Sequence, residues 1–468
     1  MIRTPGVRRT ALTGLCGALV ATSALAAVPG GAVLQAVVSY DGKAPSAPGV
    51  ELLGTYDTLQ MAVVRGHADA LYRLTRQPGV RAVTPDVPVQ LAEHDHGRGA
   101  GVLATEGLRG GAGNKHAGRG VRVAVVDTGV SDTPALNRAS GRLVDAADAS
   151  VPGQVRTAVV GTDGFTDGYG HGTFMATIVA GGPVRGTDGE ALGVAPGATV
   201  LAVRVATADG TTSLSRVLGG LDWVAAHPGE VDVASLALSR ERPGAGYGPD
   251  PLTAAVERVR AAGITVVVAS GNTAGTVSDP GFDPQALTVG AADITTRQVA
   301  AFSGSGEVQG VQKPDVVASG VSVLGLLPTG SVLELAPGTA HLRHGLYRGS
   351  GTSQATAVTA GLAAVLLGRH PHATPAQVKA SLRCAATDLP GDRDGAGLVR
   401  TPNRLCAGPD GQALDGSGDA TGELTLNANA WAANAWAANA WAANSWTANA
   451  WAANAWAANA WAAGDWTS

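Results

Sequence analysis

Five short runs of apolar residues recur through the middle of the chain, and segments with helical spacing separate them. The runs lie at 121–126, 198–205, 231–238, 264–268 and 286–289. The helix-like segments include 213–226 and 252–262. An uninterrupted apolar run is typical of a strand that is buried on both faces. Because these strands alternate with helices, the pattern predicts an α/β fold with a doubly wound, mainly parallel sheet.

A different pattern occupies residues 28 to about 95. Apolar and polar positions alternate in short segments at 33–38, 59–64 and 80–83, and a helix-like piece lies at 67–76. Alternation with a period of two is typical of strands with one face in solvent. These residues therefore predict a small α+β unit that precedes the larger domain.

Residues 427–468 form a low-complexity tail in which tryptophan recurs at every fifth position, after a Gly/Asp/Ala-rich linker at 409–426. The tryptophans are Trp431, Trp436, Trp441, Trp446, Trp451, Trp456, Trp461 and Trp466. A period of five fits neither a helix nor a strand. Two interpretations stay open: the tail attaches the protein to a cell-wall or surface polymer, or it has no fixed structure. A membrane span is not predicted, because the repeated asparagines are costly in hydrocarbon.

Residues 1–27 have the pattern of a secretory signal peptide. Three arginines precede an uncharged stretch at 10–27 that ends in small residues. This pattern predicts export and removal of the segment, and hence a secreted, extracellular protein whose association with the cell surface is left open. The pair Arg8-Arg9 leaves both the general secretory route and the twin-arginine route open.

The composition is that of a globular protein, with 468 residues of which 45% are hydrophobic and 15% charged. A formal net charge of −4, with no basic cluster in the central region, gives no indication of nucleic-acid binding. Cys16 falls in the signal segment, which leaves Cys384 and Cys406. In an exported protein these two either form one disulfide or stay as two thiols.

The candidate chemistry centres on Ser353, which lies between small residues in the segment 349–356. An apolar stretch at 355–367 follows and predicts a buried helix. A hydroxyl at the start of such a helix lies beside unpaired backbone N–H groups and the positive end of the helix dipole, which favour an oxygen that becomes negatively charged. Alone, however, this serine is better interpreted as a helix cap.

Serine becomes a useful nucleophile only if a base takes its proton and a third group holds that base. Asp127 directly follows the apolar run 121–126, and His171 lies in a glycine-flanked loop. Asn272 follows another strand-like run and carries a side-chain N–H that can donate to an oxyanion. Each residue alone is an ordinary cap, loop or turn residue, but their joint occurrence is specific.

In the order Asp, His, Asn, Ser, these motifs resemble the subtilisin-like serine peptidases, the subtilase family (peptidase S8), from about residue 121 to 389. The resemblance implies that Asp127 orients His171, which is the general base and then the acid, and that Ser353 attacks the scissile carbonyl. It also implies that Asn272 and the Ser353 N–H form the oxyanion hole. Further family-like text lies at 193–198, 313–318 and 374–378.

The resemblance also implies how the whole chain is organised. The small α+β unit corresponds to an inhibitory propeptide over 28–105, which assists folding and is then removed; an unrelated small domain is the alternative. A subtilisin-like peptidase domain follows over 106–408. The linker-like stretch 93–120 is where maturation is expected.

The chain departs from the family pattern at several positions, of which Thr356-Ala357, in place of a small residue and proline, is a mild change. The substrate-binding segment usually contains glycines, but the chain has Ser-Leu-Ala-Leu-Ser-Arg at 235–240, so that Arg240 either favours an acidic substrate side chain or points to solvent. Phe174 replaces a second histidine that has no catalytic role. No cofactor is required for the chemistry. Structural calcium sites are frequent in the family, but no ligands can be assigned here and metal binding stays open.

Two functions follow from these observations. The first is a secreted serine endopeptidase that acts on protein or peptide substrates and is made as a precursor inhibited by its own propeptide. The second is a non-catalytic surface-binding protein that keeps the subtilase fold and uses the tryptophan-rich tail as an attachment module. The presence of all four site residues favours the first function, because a binding protein has no use for them.

Overall fold

The structure is a computed structural model. It describes residues 33–92, 101–108, 111–158, 165–240, 250–308, 310–337, 339–402 and 404–406. The predicted signal peptide (1–27), the linker (409–426) and the repeat tail (427–468) lie outside the described residues.

The first described segment forms a four-stranded antiparallel sheet covered by one helix. Its elements are β1 (Val33–Tyr40), β2 (Val50–Tyr56), β3 (Met61–His67), α1 (Ala68–Leu74) and β4 (Val80–Pro85). The strand order is β2-β3-β1-β4. Leu71 and Leu74, which share one face of α1, are buried against Val38 and Val64 of the sheet. The prediction of a small α+β unit is confirmed.

The rest of the described chain is built around a nine-stranded sheet. The strands after β4 are β5 (Pro88–Leu91), β6 (Arg122–Asp127), β7 (Leu143–Asp148), β8 (Arg156–Thr157), β9 (Thr199–Arg204), β10 (Thr212–Ser213), β11 (Val233–Leu236), β12 (Leu238–Ser239), β13 (Thr265–Ala269), β14 (Leu287–Asp293), β15 (Gln298–Val299), β16 (Gly306–Val308), β17 (Val311–Lys313), β18 (Val316–Ser319), β19 (Val323–Gly325) and β20 (Tyr347–Gly349). The order in the large sheet is β15-β14-β13-β11-β6-β9-β7-β8, and β18 also pairs with β14. Its pairs are parallel except β14 with β15 and β7 with β8. The predicted mainly parallel sheet is confirmed.

Helices cover both faces of this sheet. The helices after α1 are α2 (His171–Ala180), α3 (Leu214–Ala226), α4 (Pro251–Ala261), the short α5 (Val332–Leu335), α6 (Thr352–Arg369) and α7 (Pro375–Cys384), with single 3-10 turns at Arg138–Ser140 and Arg343–Gly345. One apolar core contains residues of α2, α6 and α7, and a second contains residues of α3 and α4. Every residue of α2 is buried, as are residues 352–367 of α6, because these helices are apolar on all sides. The sheet is therefore doubly wound, as predicted.

The small unit lies on the side of the sheet that α3 and α4 cover. Its residues Val37, Met61 and Val63 belong to the same apolar core as those two helices. After β4, the chain leaves the unit, and β5 enters a separate three-stranded sheet with the order β10-β5-β12. The small unit thus contacts the larger domain in two places, on the helices and through β5.

A disulfide joins Cys384, the last residue of α7, to Cys406. Of the two alternatives that the sequence left open for these cysteines, the structure has the bridge. Within the described residues, no helix is both long and apolar enough to cross a membrane.

Candidate active site

Asp127 and His171 form a buried pair at the carboxyl edge of the large sheet. Asp127 is the last residue of β6, and its carboxylate lies 2.8 Å and 3.0 Å from His171 Nδ1 through Oδ1 and Oδ2. Both side chains have no exposed surface. A carboxylate only accepts, so Nδ1 carries the hydrogen and Nε2 is the basic nitrogen of the neutral ring.

A second aspartate, Asp167, holds the loop from which His171 emerges. Its buried carboxylate accepts hydrogen bonds from Gly170 N–H (2.7 Å), from Thr173 N–H (2.8 Å) and from the hydroxyls of Thr173 and Thr128 (2.8 Å each). Burial raises the pKa of Asp167 although these donors oppose the shift. Because Thr128 follows Asp127, this network ties the aspartate loop to the histidine loop.

Sequence reasoning missed the role of Asp167. The available signal was local: an aspartate that precedes the first turn of a helix can bond to the unpaired N–H groups there. His171 starts α2 directly after Gly170, whose φ of 112° lies in the region that glycine adopts without strain. A search for a helix cap in Asp167-Gly168-Tyr169-Gly170 would have pointed to this residue.

Ser353 lies in the first turn of α6 and makes two contacts with backbone groups. Its N–H donates to the Ala92 carbonyl oxygen at 3.1 Å. Its Oγ donates to the Ala237 carbonyl oxygen at 3.0 Å. The serine is fully buried in this state, beneath the segment that contains Ala92.

Asn272 follows β13 at the same edge of the sheet. Its Oδ1 accepts from Thr352 N–H at 3.0 Å and from the Thr352 hydroxyl at 2.9 Å, which places its amide beside the residue that precedes Ser353. Asn272 Nδ2 is buried and has no hydrogen-bond partner among the residues that the structure describes. A buried donor without a partner costs free energy unless a ligand atom uses it.

The strand β5 occupies a cleft beside these residues in the manner of an extended peptide. It pairs antiparallel with β10 on one side and with β12 on the other. The cross-strand partners are Val89 with Thr212, Leu91 with Leu238, and Gln90 with Ser239. Ala92 continues this pairing, because its N–H donates to the Ala237 oxygen at 3.1 Å. Addition of a strand through backbone atoms is a common way to hold a peptide.

The apolar run 231–238, predicted as one strand, is divided at Ala237. The strand β11 ends at Leu236, and β12 begins at Leu238 in the other sheet. The reason is the competing partner, since the Ala237 oxygen accepts from Ala92 and Ser353 rather than from a neighbouring strand of the large sheet. The single-strand prediction is therefore wrong at this point.

Of the two alternatives for Arg240, exposure to solvent is wrong, and the preference for an acidic substrate side chain stays a prediction. Arg240 is only 9% exposed, and its guanidinium bonds to Asp250 and, at 2.5 Å, to Asp279. The backbones of Arg240 and Asp279 exchange two hydrogen bonds of 2.8 Å and 2.9 Å. The side chain therefore does not point to solvent, and two internal carboxylates already hold its guanidinium. The sequence did not indicate these partners, because Asp250 and Asp279 lie 10 and 39 positions from Arg240.

Phe174 is buried on α2, where its ring lies close to Gly325 and Gly349. Among the described residues, no group of three or more histidine, cysteine, aspartate or glutamate side chains converges as a metal site would require. The expectation on calcium therefore stays untested.

The comparison with known families agrees with this geometry. A family model described as Subtilase family, Peptidase_S8, matches residues 118–400, which is more than half of the 468 residues. The chain belongs to the subtilase family. The predicted family and fold are confirmed.

Several curated relatives are similar to this subtilase. Serine protease AprX of Bacillus subtilis (strain 168) is 34% identical over 308 residues, which cover 62% of this chain and 66% of AprX. Subtilisin Savinase of Lederbergia lenta is 36% identical over 285 residues, or 60% of this chain and 89% of the relative. Subtilisin E of Bacillus subtilis (strain 168) is 33% identical over 280 residues, which cover 58% of this chain and 62% of the relative. The chain thus spans slightly less than two thirds of AprX and of Subtilisin E.

Proposed function

We propose that this subtilase is a secreted serine endopeptidase, made as a precursor, in which Asp127, His171 and Ser353 act as a catalytic triad. One observation carries the proposal: the carbonyl oxygen of Ala92 accepts a hydrogen bond from the Ser353 N–H at the start of a buried helix. A carbonyl held there has the serine that would attack it as its direct neighbour.

The chemistry follows from the contacts of each residue. In the resting state, Ser353 Oγ donates to the Ala237 oxygen, and rotation about the Cα–Cβ bond redirects it to His171. His171 Nε2 then takes the proton while Oγ attacks the carbonyl carbon, and returns the proton to the leaving amine. Asp127 fixes the ring through Nδ1 and stabilises the imidazolium that forms. Water hydrolyses the acyl-enzyme in a second round.

Two donors are available for the oxyanion of the tetrahedral intermediate. The Ser353 N–H already bonds to a carbonyl oxygen, and Asn272 Nδ2 is buried without a described partner. The helix dipole of α6 adds positive potential at the same point. We assign Asn272 and the Ser353 N–H as the oxyanion hole.

We further propose that the small α+β unit is the inhibitory propeptide. Its residue Asp86 accepts hydrogen bonds from Ser215 N–H (2.7 Å), from the Ser215 hydroxyl (2.6 Å) and from the Ser213 hydroxyl (3.2 Å). Ser213 is the N-cap residue of α3 but makes no cap hydrogen bond of its own. Asp86 supplies this cap, and β5 then leads the chain into the cleft, which blocks access to Ser353.

The bond that this arrangement offers for maturation is Ala92–Glu93. The Ala92 carbonyl is the one beside Ser353. Further along, Val102 exchanges backbone hydrogen bonds with Ser322 (2.9 Å) and Leu324 (2.8 Å) and belongs to the core of the large domain. The propeptide that we propose therefore ends at residue 92 rather than 105.

The non-catalytic alternative loses its main argument. That argument was the replacement of glycines at 235–240, in the segment that binds the substrate backbone. The pairing of β12 with β5 uses backbone atoms of Leu238 and Ser239, and their side chains do not prevent it. A peptide can be held here in spite of the altered residues.

Export and attachment complete the proposal. We propose that residues 1–27 direct secretion and that the tail at 427–468 attaches the enzyme to a cell-wall or surface polymer. A truncated chain that ends at residue 426 should then be released from cell envelopes that retain the full chain. Equal retention of both forms would contradict the attachment role.

The test of the proposed activity is fluorophosphonate labelling of the secreted chain, with Ser353→Ala as the matched control. We expect the wild type to be labelled and its new N-terminus to be Glu93, whereas Ser353→Ala should show neither. A wild type that sheds its propeptide through another protease and still resists labelling would contradict the peptidase proposal and favour the binding alternative.

A further inference from the structure

A tyrosine of the small unit is buried inside the large domain. Tyr56, the last residue of β2, has no exposed surface and belongs to the apolar core that contains α3 and α4. Its hydroxyl donates to the Ser215 carbonyl oxygen at 2.7 Å and accepts from the Gly153 N–H at 3.0 Å. Both partners belong to the large domain, and both are backbone groups.

The large domain is shaped to admit this ring. A Cβ atom at Gly219 of α3 would lie 3.1 Å from Tyr56 Oη and 3.2 Å from its Cε1, and 3.0 Å from the Cβ of Ala149. Glycine in the middle of a helix costs free energy relative to alanine, so a packing reason for it is expected. Here the missing methyl group makes the room that the phenol fills. Gly153, with a φ of 77°, lies against the backbone of Leu53 and Gly54 just before the tyrosine.

The Tyr56 hydroxyl has both a hydrogen-bond acceptor and a donor in the large domain. Burial raises the pKa of Tyr56, which keeps the phenol protonated and able to donate. The Ser215 carbonyl is part of the first turn of α3, and the oxygen's second lone pair is available to the phenol. Within the described residues, the Gly153 N–H has the phenol oxygen as its acceptor.

We propose that Ser215, Gly219 and Gly153 form a phenol-binding socket on the peptidase domain, and that Tyr56 in this socket sets how long the cleaved propeptide stays bound. This rests on the proposed function, since it concerns the step after cleavage at Ala92. The strand β5 holds the cleft through backbone atoms that any extended peptide offers, whereas the socket selects one side chain. The socket therefore decides between retention of the propeptide and its exchange for a substrate.

Tyr56→Phe in the full-length chain tests the role of the hydroxyl. The variant keeps the ring but removes both hydrogen bonds of the hydroxyl, those with the Ser215 carbonyl oxygen and with the N–H of the half-buried Gly153. We expect the propeptide to dissociate about 5- to 100-fold faster, because the loss of two hydrogen bonds weakens binding by roughly that factor. The readout is the rate at which activity on a chromogenic peptide appears after the cleaved complex is diluted, with cleavage followed separately on gels.

Tyr40→Phe is the matched control. Tyr40 is also buried, but it lies in the core of the small unit itself, so loss of its hydroxyl should leave the release rate close to that of the wild type. Gly219→Ala approaches the socket from the other side and leaves the propeptide sequence unchanged. This variant should also increase the rate at which the propeptide dissociates. It tests the socket proposal if Tyr56→Phe fails to fold.

The outcomes separate the socket from the proposed peptidase function. If the wild type neither cleaves itself nor reacts with fluorophosphonate, the peptidase proposal fails. If it does both, but activity appears at the same rate in wild type, Tyr56→Phe and Gly219→Ala, the peptidase proposal stands and the socket inference is overturned.

Discussion

The two edges of the central sheet each carry a buried aspartate with basic partners, yet only one edge has the layout of a site. At the carboxyl edge, Asp127 follows β6 and bonds to His171. At the amino edge, Asp315 precedes β18 and bonds to Lys313 at 2.8 Å and to Lys379 at 3.0 Å. Both aspartates are almost completely buried. Burial of a charged pair is therefore not what distinguishes the site.

The charged groups of the amino-edge cluster, Asp315, Lys313 and Lys379, interact with one another and with neighbouring groups of the protein. Lys379 Nζ also donates to the carbonyl oxygens of Pro284 (2.6 Å) and Ala286 (2.9 Å), and Lys313 Nζ donates to the Thr288 hydroxyl (2.9 Å). Burial alone would raise the pKa of Asp315, but Lys379 and Lys313 lower it to about 2. Asp315 Oδ1 makes no hydrogen bond, but it lies in ion pairs with Lys379 Nζ at 3.0 Å and with Arg383 Nη1 at 3.6 Å.

The carboxyl edge differs because one of its polar groups forms a hydrogen bond with the peptide segment in the cleft, and another has no partner and can bind a substrate atom. The Ser353 N–H bonds to the Ala92 carbonyl, and Asn272 Nδ2 has no partner among the described residues. A buried donor that the fold leaves unmatched beside a nucleophilic serine is a place where a ligand oxygen can complete the network. Four substitutions test this difference between the two edges.

The largest effect is expected for Asp127→Asn. The asparagine side chain can donate to Nδ1, so His171 would carry its hydrogen on the wrong nitrogen, and we expect self-cleavage at Ala92 to slow by about 10⁴-fold. The readout is the first-order rate of precursor cleavage, because it needs no mature enzyme. Asp132→Asn, the same change at an exposed aspartate, serves as control. Cleavage within tenfold of the wild-type rate would contradict the assigned role of Asp127.

Asp315→Asn should act on stability instead of chemistry. It leaves Lys313 and Lys379 buried without their counter-ion, which typically costs about 3–5 kcal/mol of the free energy of unfolding. Urea denaturation of the precursor in the Ser353→Ala background would measure this loss without self-digestion. Asp69→Asn, which breaks an exposed pair with Arg73, should leave the unfolding curve unchanged. A loss below about 1 kcal/mol for Asp315→Asn would show that the cluster does not interact as described.

Asn272→Ala tests whether the unpartnered Asn272 Nδ2 at the carboxyl edge binds the oxyanion. Loss of one oxyanion donor lowers kcat by about 100- to 1000-fold, a magnitude known from the corresponding asparagine of subtilisin, and KM should change little. Steady-state kinetics of the matured enzyme provide both constants. Thr352→Val removes the hydroxyl that orients Asn272 Oδ1 but keeps the N–H donor, so its effect on kcat should be smaller. An increase in KM with unchanged kcat would assign Asn272 to ground-state binding.

The sequence was sufficient for the features that depend on neighbours along the chain. Asp127 directly follows one strand-like run, Asn272 lies four residues after another, and Ser353 lies at the start of a mostly apolar segment, so each position could be predicted with its element. The partners of charged residues were out of reach, because they depend on how distant segments pack. In the sequence, Lys313 belongs to the family-like segment 313–318 and Lys379 follows the segment 374–378, so nothing indicated that they share a partner. In the structure, Asp315 forms ion pairs with both lysines, which are more than 60 positions apart.

The smallest effect concerns the pH dependence of stability. Burial lowers the pKa of Lys379 to about 7, although Asp315 opposes the shift, whereas an unfolded lysine has a pKa of about 10.4. Between these values the unfolded chain binds the additional proton, so the free energy of unfolding should rise with pH, by at most about 1.4 kcal/mol per pH unit. Lys379→Met should remove this slope between pH 7 and 9.

Urea denaturation at several pH values, in the Ser353→Ala background, measures the slope for wild type and variant. The difference between the two curves isolates Lys379, because the other ionisable groups are common to both chains. Lys43→Met, a change at an exposed lysine of the small unit, should leave the slope as it is. Parallel curves for wild type and Lys379→Met would mean that the Asp315 carboxylate keeps this lysine charged throughout. In that case the amino edge would contain two ammonium groups held by one carboxylate and by backbone oxygens, and the contrast with the carboxyl edge would be sharper still.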